Sequence, residues 1–203
     1  MSKSGHDFNE IEQINRNQSF FASLKKFEDI SIELFVESDI SNQYLAWLNN
    51  SHHMQYSDQQ LKVHTLDTSV DYLNSFKNTA NLFLKVLNNS RVMVGTLTVY
   101  IDVFSDIHNC GILIDSNLVG RGYGKRAWTA LTHQVCPSLG ARKIVAGTVE
   151  SNFAMIKLFE ASDLSLETRL HNEKFYGGKT HDVLIYSRLV TETRNQDDWY
   201  WAG

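Results

Sequence analysis

Glycine occupies three alternate positions, 120, 122 and 124, between the apolar run "CGILI" (110–114) and a helical stretch that begins at "GKRAW". A chain follows that course as strand, tight loop and helix entrance, because glycine reaches left-handed backbone conformations and lets other groups approach the main chain. The first N–H groups of a helix have no acceptor within it, and the peptide dipole makes that end positive, so the entrance suits a phosphate. Arg121, Lys125 and Arg126 add positive charge there. Two familiar phosphate loops do not fit. A nucleotide-hydrolysing loop needs glycine where Val119 stands and a hydroxyl where Arg126 stands. A dinucleotide fingerprint needs glycine at Lys125 and a parallel fold around it.

The flanking pattern sets the fold class. Residues 1–28 are polar, with Phe20, Phe21 and Leu24 as an apolar cluster, and read as a loose leader that docks by those side chains. "ISIELFV" alternates like a strand. In "SDISNQYLAWLNN", Ser38 or Asp39 is an N-cap for a helix carrying Ile40, Tyr44, Leu45, Trp47 and Leu48. The aperiodic "SHHMQYSDQQLKVH" is a loop, followed by a helix with Leu66, Val70, Leu73 and Phe76 on one face. "NLFLKVL", "RVMVGTLTVYI" and "IHNCGILI" predict an antiparallel meander whose first turn uses Asn88 and Asn89. Ala127, Leu131 and Val135 then recur at i, i+4 and i+8 until Pro137 and Gly140 end the helix. "ARKIVAGTV" is a buried strand, "SNFAMIKLFEAS" a helix capped by Asn152, and "LSLETRLHNEKFY" and "HDVLIYSRLV" are two further strands. The order βααβββαβαββ predicts one α/β (α+β) domain over 29–190, built on a mixed, mostly antiparallel sheet. Residues 191–203 read as a tail whose Trp199, Tyr200 and Trp201 pack on something.

Composition removes several function classes. A formal net charge of -4 lacks the basic excess of a nucleic-acid binder. No apolar run approaches the roughly 18 residues of a membrane span. The N-terminus has no apolar core of a signal peptide, so a cytoplasmic location is expected. Cys110 and Cys136 are too few for a zinc site, and the histidines form no helical metal-ligand pair, so no metal is expected.

"GILIDSNLVGRGYGKRAW" resembles the acetyl-CoA loop of the GNAT superfamily of N-acetyltransferases, whose pattern Gln/Arg-x-x-Gly-x-Gly/Ala falls on Val119 through Gly124. "ESNFAMIKLFEASDL" resembles the next block of that family at Asn152, Ile156, Leu158 and Glu160. The resemblance extends over roughly residues 31–190. It departs at Val119, which replaces glutamine or arginine, at Met155, which replaces a small residue, and at Asp163-Leu164, which replaces Gly-Phe. Many relatives carry a tyrosine acid where Phe159 stands and a glutamate base near Asn109.

The resemblance implies a single GNAT-like domain whose central strands splay at the acetyl-CoA site. The backbone of Ile112, Leu113 and Ile114 pairs with the pantetheine arm of the co-substrate. Val119, Gly120, Arg121 and Gly122 turn the chain about the pyrophosphate, and Tyr123, Gly124 and Lys125 close on it at the helix entrance. Asn152 and Phe159 flank the thioester end. The implied reaction is direct attack of a primary amine on the thioester, with backbone N–H groups stabilising the oxyanion and no covalent enzyme intermediate. His108, Glu150 and Tyr186 are candidates for moving protons. Each also has a plain structural reading: a solvated strand edge for His108, a helix cap for Glu150 and core packing for Tyr186. Cys110, with no base to activate it, reads as a buried structural thiol.

For the acceptor, His52, His53 and Tyr56 lie in the loop that lines the acceptor side in the family, with Trp47 just before it; an ordinary exposed loop and a core tryptophan are the competing readings. "DISNQYLAWLNNSHHMQYSDQQ" resembles the opening of acetyltransferases that act on nucleotide-linked amino sugars. Ribosomal-protein N-terminal acetyltransferases share the second block, and polyamine acetyltransferases are near neighbours. A small-molecule amine is therefore the expected acceptor, with N-terminal peptide acetylation and a catalytically degenerate coenzyme-binding module as alternatives. A homodimer stays open.

Overall fold

The computed structural model describes residues 5–23 and 25–190. Its frame is an eight-stranded sheet in the order β1-β2-β3-β4-β5-β6-β8-β7. The strands are β1 Lys25–Phe27, β2 Ile30–Leu34, β3 Leu82–Asn88, β4 Met93–Asp102, β5 Ile107–Ile114, β6 Lys143–Val149, β7 Ser165–Tyr176 and β8 Lys179–Leu189. Every neighbouring pair is antiparallel except β5 and β6. A parallel pair needs a long crossover. The glycine loop supplies it with α4 Tyr123–Ala130, a π-helical turn Leu131–Val135 and α5 Cys136–Ser138. The predicted mixed, mostly antiparallel α/β architecture is the one observed.

Alternation on β3 separates two cores. Leu82, Leu84 and Val86 join a cluster under the crossover helix, where Ala127, Leu131 and Val135 have no exposed surface. Phe83 points the other way, into a cluster with Phe35, Tyr44, Trp47, Leu73 and Phe76 beneath α2 Asn42–Leu48 and α3 Leu66–Asn74. Its ring stacks on Phe35 and Phe76 at centroid distances of 4.4 and 5.4 Å. The β3–β4 turn forms where expected, but Arg91, at φ 64°, takes the left-handed position. Asn88 instead accepts hydrogen bonds on its side chain from the N–H groups of Ser90 and Val92, at 2.9 and 3.0 Å.

Two local readings are corrected. The cap of α2 is Ser41, whose hydroxyl accepts from the Tyr44 N–H at 3.2 Å. Ser38 and Asp39 fall before it because the Asp39 carboxylate is drawn to the Val36 N–H and to Lys85, at 2.8 and 2.7 Å. The segment read as a loose leader contains a 17-residue helix, α1 Gly5–Phe21. It docks by amide side chains: Gln13 donates to Asn17 and to the Leu139 carbonyl at 2.9 and 3.0 Å, and Asn17 donates to the Ala80 carbonyl at 2.7 Å. Phe20 and Phe21 pack against the main core as expected. Leu24 and the tail with Trp199, Tyr200 and Trp201 lie outside the described residues.

Asn17→Leu removes the donor from a buried carbonyl. It is expected to lower unfolding free energy by about 1–3 kcal/mol, read as a lower urea midpoint with an unchanged slope.

Candidate active site

β5 and β6 pair at three positions only, Ile107↔Lys143, His108↔Ile144 and Asn109↔Val145. Past Asn109, β5 stays with β4 as far as the Gly95↔Ile114 pair, and β6 stays with β8 as far as Val149↔Val183. The two strands thus diverge, each committed to its outer neighbour, and their inner edges are left without a ladder. The opening is a cleft of about 1370 Å³. That exceeds the roughly 300–1,000 Å³ of a pocket for one small ligand and leaves room for a long coenzyme together with an acceptor. Ile112, Leu113 and Ile114 form one wall, Gly147 and Thr148 the other, and Asn152, Met155 and Phe159 line it from α6 Phe153–Glu160 and its cap.

The glycine loop stands at the end of β5. Asp115, 3% exposed, starts it by accepting the Asn117 N–H at 2.9 Å, and its other carboxylate oxygen accepts from the Gln43 amide at 3.2 Å. Gly120 and Gly122 have φ of 83° and 81°, a region other residues rarely adopt. Gly124 needs no such freedom, and a Cβ there meets only Ile114, at 3.6 Å. Its lack of a side chain serves access. The first bond of α4 runs from the Arg126 N–H to the Gly122 carbonyl at 3.1 Å, so the N–H groups of Tyr123, Gly124 and Lys125 have no acceptor within the helix. These amides, the positive φ values and the bare Gly124 fit a pyrophosphate. Val119, Gly120, Gly122, Gly124 and Lys125 line the cleft. Arg121 and Tyr123 do not: Arg121 is exposed, and Tyr123 turns onto the core under the Arg126 guanidinium, 4.8 Å from its ring centroid. Arg126 in turn is paired with Asp29 at 2.6 Å.

None of the three proton-transfer candidates lines the cleft. His108 sits on the paired stretch of β5, facing the main core with 1% exposure, so the solvated-edge reading fails too. Burial, aided by the nearby positive charge of Arg16, holds its pKa down at about 4. Glu150 is taken by Arg169, which also bonds Asp182 at 2.5 Å, and Asn152 rather than Glu150 caps α6. Tyr186 is buried beside Phe159 and donates to Glu160 at 3.3 Å; burial and that carboxylate raise its pKa. Trp47 follows its core reading.

The acceptor loop does reach the cleft. His52, His53 and Tyr56 line it, joined by Lys62, His64, Asp71 and Tyr72, which the sequence reading passed over. Tyr72 neighbours the apolar stripe of α3, where only apolar residues carried the signal; its hydroxyl lies 3.0 Å from that of Tyr100. His53 is half-buried, and burial, together with His52, outweighs the pull of Asp115 to lower its pKa below 6.5. Its imidazole is thereby biased toward the neutral form.

The model of the acetyltransferase (GNAT) domain matches residues 30–165, and the chain belongs to that family. It is an acetyl-CoA-dependent N-acetyltransferase. No curated protein sequence matches it. Among solved structures it is similar to a ribosomal L7/L12 alpha-N-protein acetyltransferase, RimL, in complex with coenzyme A, at 18% identity and a TM-score of 0.74 over 83% of this chain and 98% of that one. A spermidine N-acetyltransferase from Vibrio cholerae, solved with coenzyme A and spermine, gives 18% identity and a TM-score of 0.72 over 79% and 95%. A GNAT acetyltransferase from Bacillus anthracis gives 17% and 0.70 over 82% and 98%.

Two outcomes follow from this geometry. Gly124→Asp sets a carboxylate against the open amides and is expected to weaken acetyl-CoA binding about tenfold or more by calorimetry, with little change in melting temperature. His108 is neutral when folded, whereas the unfolded chain protonates it near 6.5, so the unfolded state gains protons as pH falls from about 6.5 to about 4. Stability drops across that window by on the order of 3 kcal/mol. Denaturant melts of wild type and His108→Phe over the window should show a shallower pH slope in the variant.

Proposed function

We propose that the acceptor is a primary amine on a nucleotide-linked amino sugar. The observation that carries this reading is the charge of the cleft: among the described residues lining it, Asp71 is the one carboxylate, against Lys62 and Lys125. A polyamine brings several positive charges and requires several free carboxylates. The acidic groups nearby are engaged, Asp58 by Lys174 at 2.5 Å and Asp115 by Gln43 and Asn117. A sugar diphosphate is compatible with the Lys62 ammonium and with hydrogen bonds from the histidines, and Tyr44, Tyr72 and Phe83 offer ring surface to the sugar or base.

The coenzyme supplies an acetyl group activated as a thioester. In this reading the open amides at the start of α4 bind its phosphates, and the free edge of β5 aligns its arm and presents N–H groups to the oxyanion. His53, on the acceptor wall and biased toward the neutral form, takes the proton of the attacking amine, a role worth about 10²–10⁴ in rate. A cytoplasmic setting, with its reducing thiol pool, suits a chain whose cysteines are both free.

The test is thiol release with acetyl-CoA and a panel of acceptors: nucleotide-linked amino sugars, free amino sugars, spermidine and a peptide with a free N-terminal serine. Turnover is expected to be highest with a nucleotide-linked amino sugar, and Lys62→Glu should raise its KM about tenfold while leaving that of the free sugar unchanged. Preference for spermidine or the peptide overturns the assignment. Coenzyme binding with no turnover on any amine favours a binding module, a reading motivated by Phe159 standing where relatives carry a hydroxyl.

A further inference from the structure

Cys110 and Cys136, the chain's two cysteines, are 26 positions apart, yet their sulfurs lie 3.6 Å from each other. Both are free thiols; Cys136 has no exposed surface and Cys110 is 6% exposed. Cys110 follows Asn109, the last residue of β5 paired with β6, so it occupies the vertex at which the cleft opens, and it lines that cleft. Cys136 opens α5, at the far end of the crossover helix that begins at the glycine loop. Burial pushes the Cys136 thiol well up in pKa, and the transfer reaction uses neither sulfur.

We propose that Cys110 and Cys136 form a reversible thiol–disulfide couple at the vertex of the cleft, oxidised by small-molecule disulfides that enter the cleft and shielded by bound coenzyme. The proposal rests on the coenzyme occupying this cleft and is independent of which amine is acetylated. Cys110 is the attacking thiol because it alone reaches the cleft. As the thiolate it attacks one sulfur of the small disulfide, giving a mixed disulfide and releasing the other half as a thiolate that takes up a proton. The Cys136 sulfur then attacks Cys110 Sγ, the protein disulfide forms, and the second half leaves and is protonated. The two cysteines lose two electrons and two protons in total, and the small disulfide is reduced to two thiols.

The step has a mechanical consequence. A disulfide spans about 2.05 Å, so the sulfurs must close by about 1.5 Å. That motion draws the vertex of β5 toward α5, and the residues next along the strand, Gly111 to Ile114, are the open wall of the cleft. Coenzyme lying along that wall covers Cys110 from the side by which a small disulfide enters.

The experiment uses the full chain, fully reduced, exposed to glutathione disulfide with and without saturating acetyl-CoA, then alkylated and mapped by non-reducing peptide mass spectrometry. The expected product is one linked pair of peptides carrying Cys110 and Cys136, formed about tenfold or more slowly with the coenzyme present. Cys136→Ser should stop at glutathione on Cys110, and Cys110→Ser should give neither product. Glutathione that remains on wild-type Cys110 without passing to Cys136, or two unmodified thiols, overturns the couple. Equal rates with and without coenzyme, while calorimetry shows acetyl-CoA bound, overturn the shielding. Equal rates with no coenzyme bound count instead against the cleft as the coenzyme site, and the linked peptides still establish the couple.

Discussion

The three-residue parallel ladder between β5 and β6 is the constraint on which the site depends. It is long enough to join the two halves of the sheet and short enough to let them part. Because the strands are parallel, both carboxyl ends point into the opening, and each is followed by a helix, α4 after the glycine loop that leaves β5 and α6 after the short turn that leaves β6. Two helix amino termini, each the positive end of a dipole, are thereby brought to one cleft. Ligand binding at the carboxyl ends of parallel strands follows from that arrangement. An antiparallel pair at the same place would put one helix entrance at the wrong end of the sheet.

The distribution of charge serves the same end. The chain carries a formal charge of -4, but several carboxylates outside the lining of the cleft are held in ion pairs. Asp29 holds Arg126, Asp58 holds Lys174, and Glu150 and Asp182 share Arg169. Three backbone and side-chain groups hold Asp182 so firmly, the Asn172 N–H first, that its pKa falls to about 2. These pairs are exposed and contribute little to stability individually.

What the sequence revealed and what it hid divide along one physical line. The glycine loop, the stripe Ala127–Leu131–Val135 and the Asn152 cap are local, set by residues within two or three turns of each other, and they stand where the spacing puts them. The proton-transfer residues depended on where a ladder stops, and that is not local. His108 and Cys110 share a face of β5, as period two requires, but the last pair at Asn109 lies between them, so one is sealed in the core and the other lines the cleft. The α1 helix was hidden for another reason: its docking face is made of Gln13 and Asn17, amides that carry no apolar periodicity and find carbonyl partners only in the folded chain. Arg121 and Tyr123 share the loop's sequence but not its concave side: Arg121 is exposed, and Tyr123 packs against the core under Arg126.

The absence of a hydroxyl at Phe159 narrows the chemistry. Its ring packs against Trp128 and Tyr186, each with its centroid 5.3 Å away, and brings no proton-donating group to the cleft it lines. The departing group is a thiol, and thiols ionise near pH 8.5, so it leaves as an anion with modest help. The amine is the harder partner, because alkyl amines ionise near pH 10.4 and are almost wholly protonated at neutral pH. Among the described residues lining the cleft, His53 is the imidazole of lowered pKa and Asp71 the one carboxylate, a sparse set of bases for such an amine. The acceptor proposed above, an amine on a sugar ring, has its basicity already reduced by neighbouring electron-withdrawing oxygens. In the reading proposed above, the acid lacking at Phe159 and the sparse base on the opposite wall are offset by the low basicity of the acceptor amine.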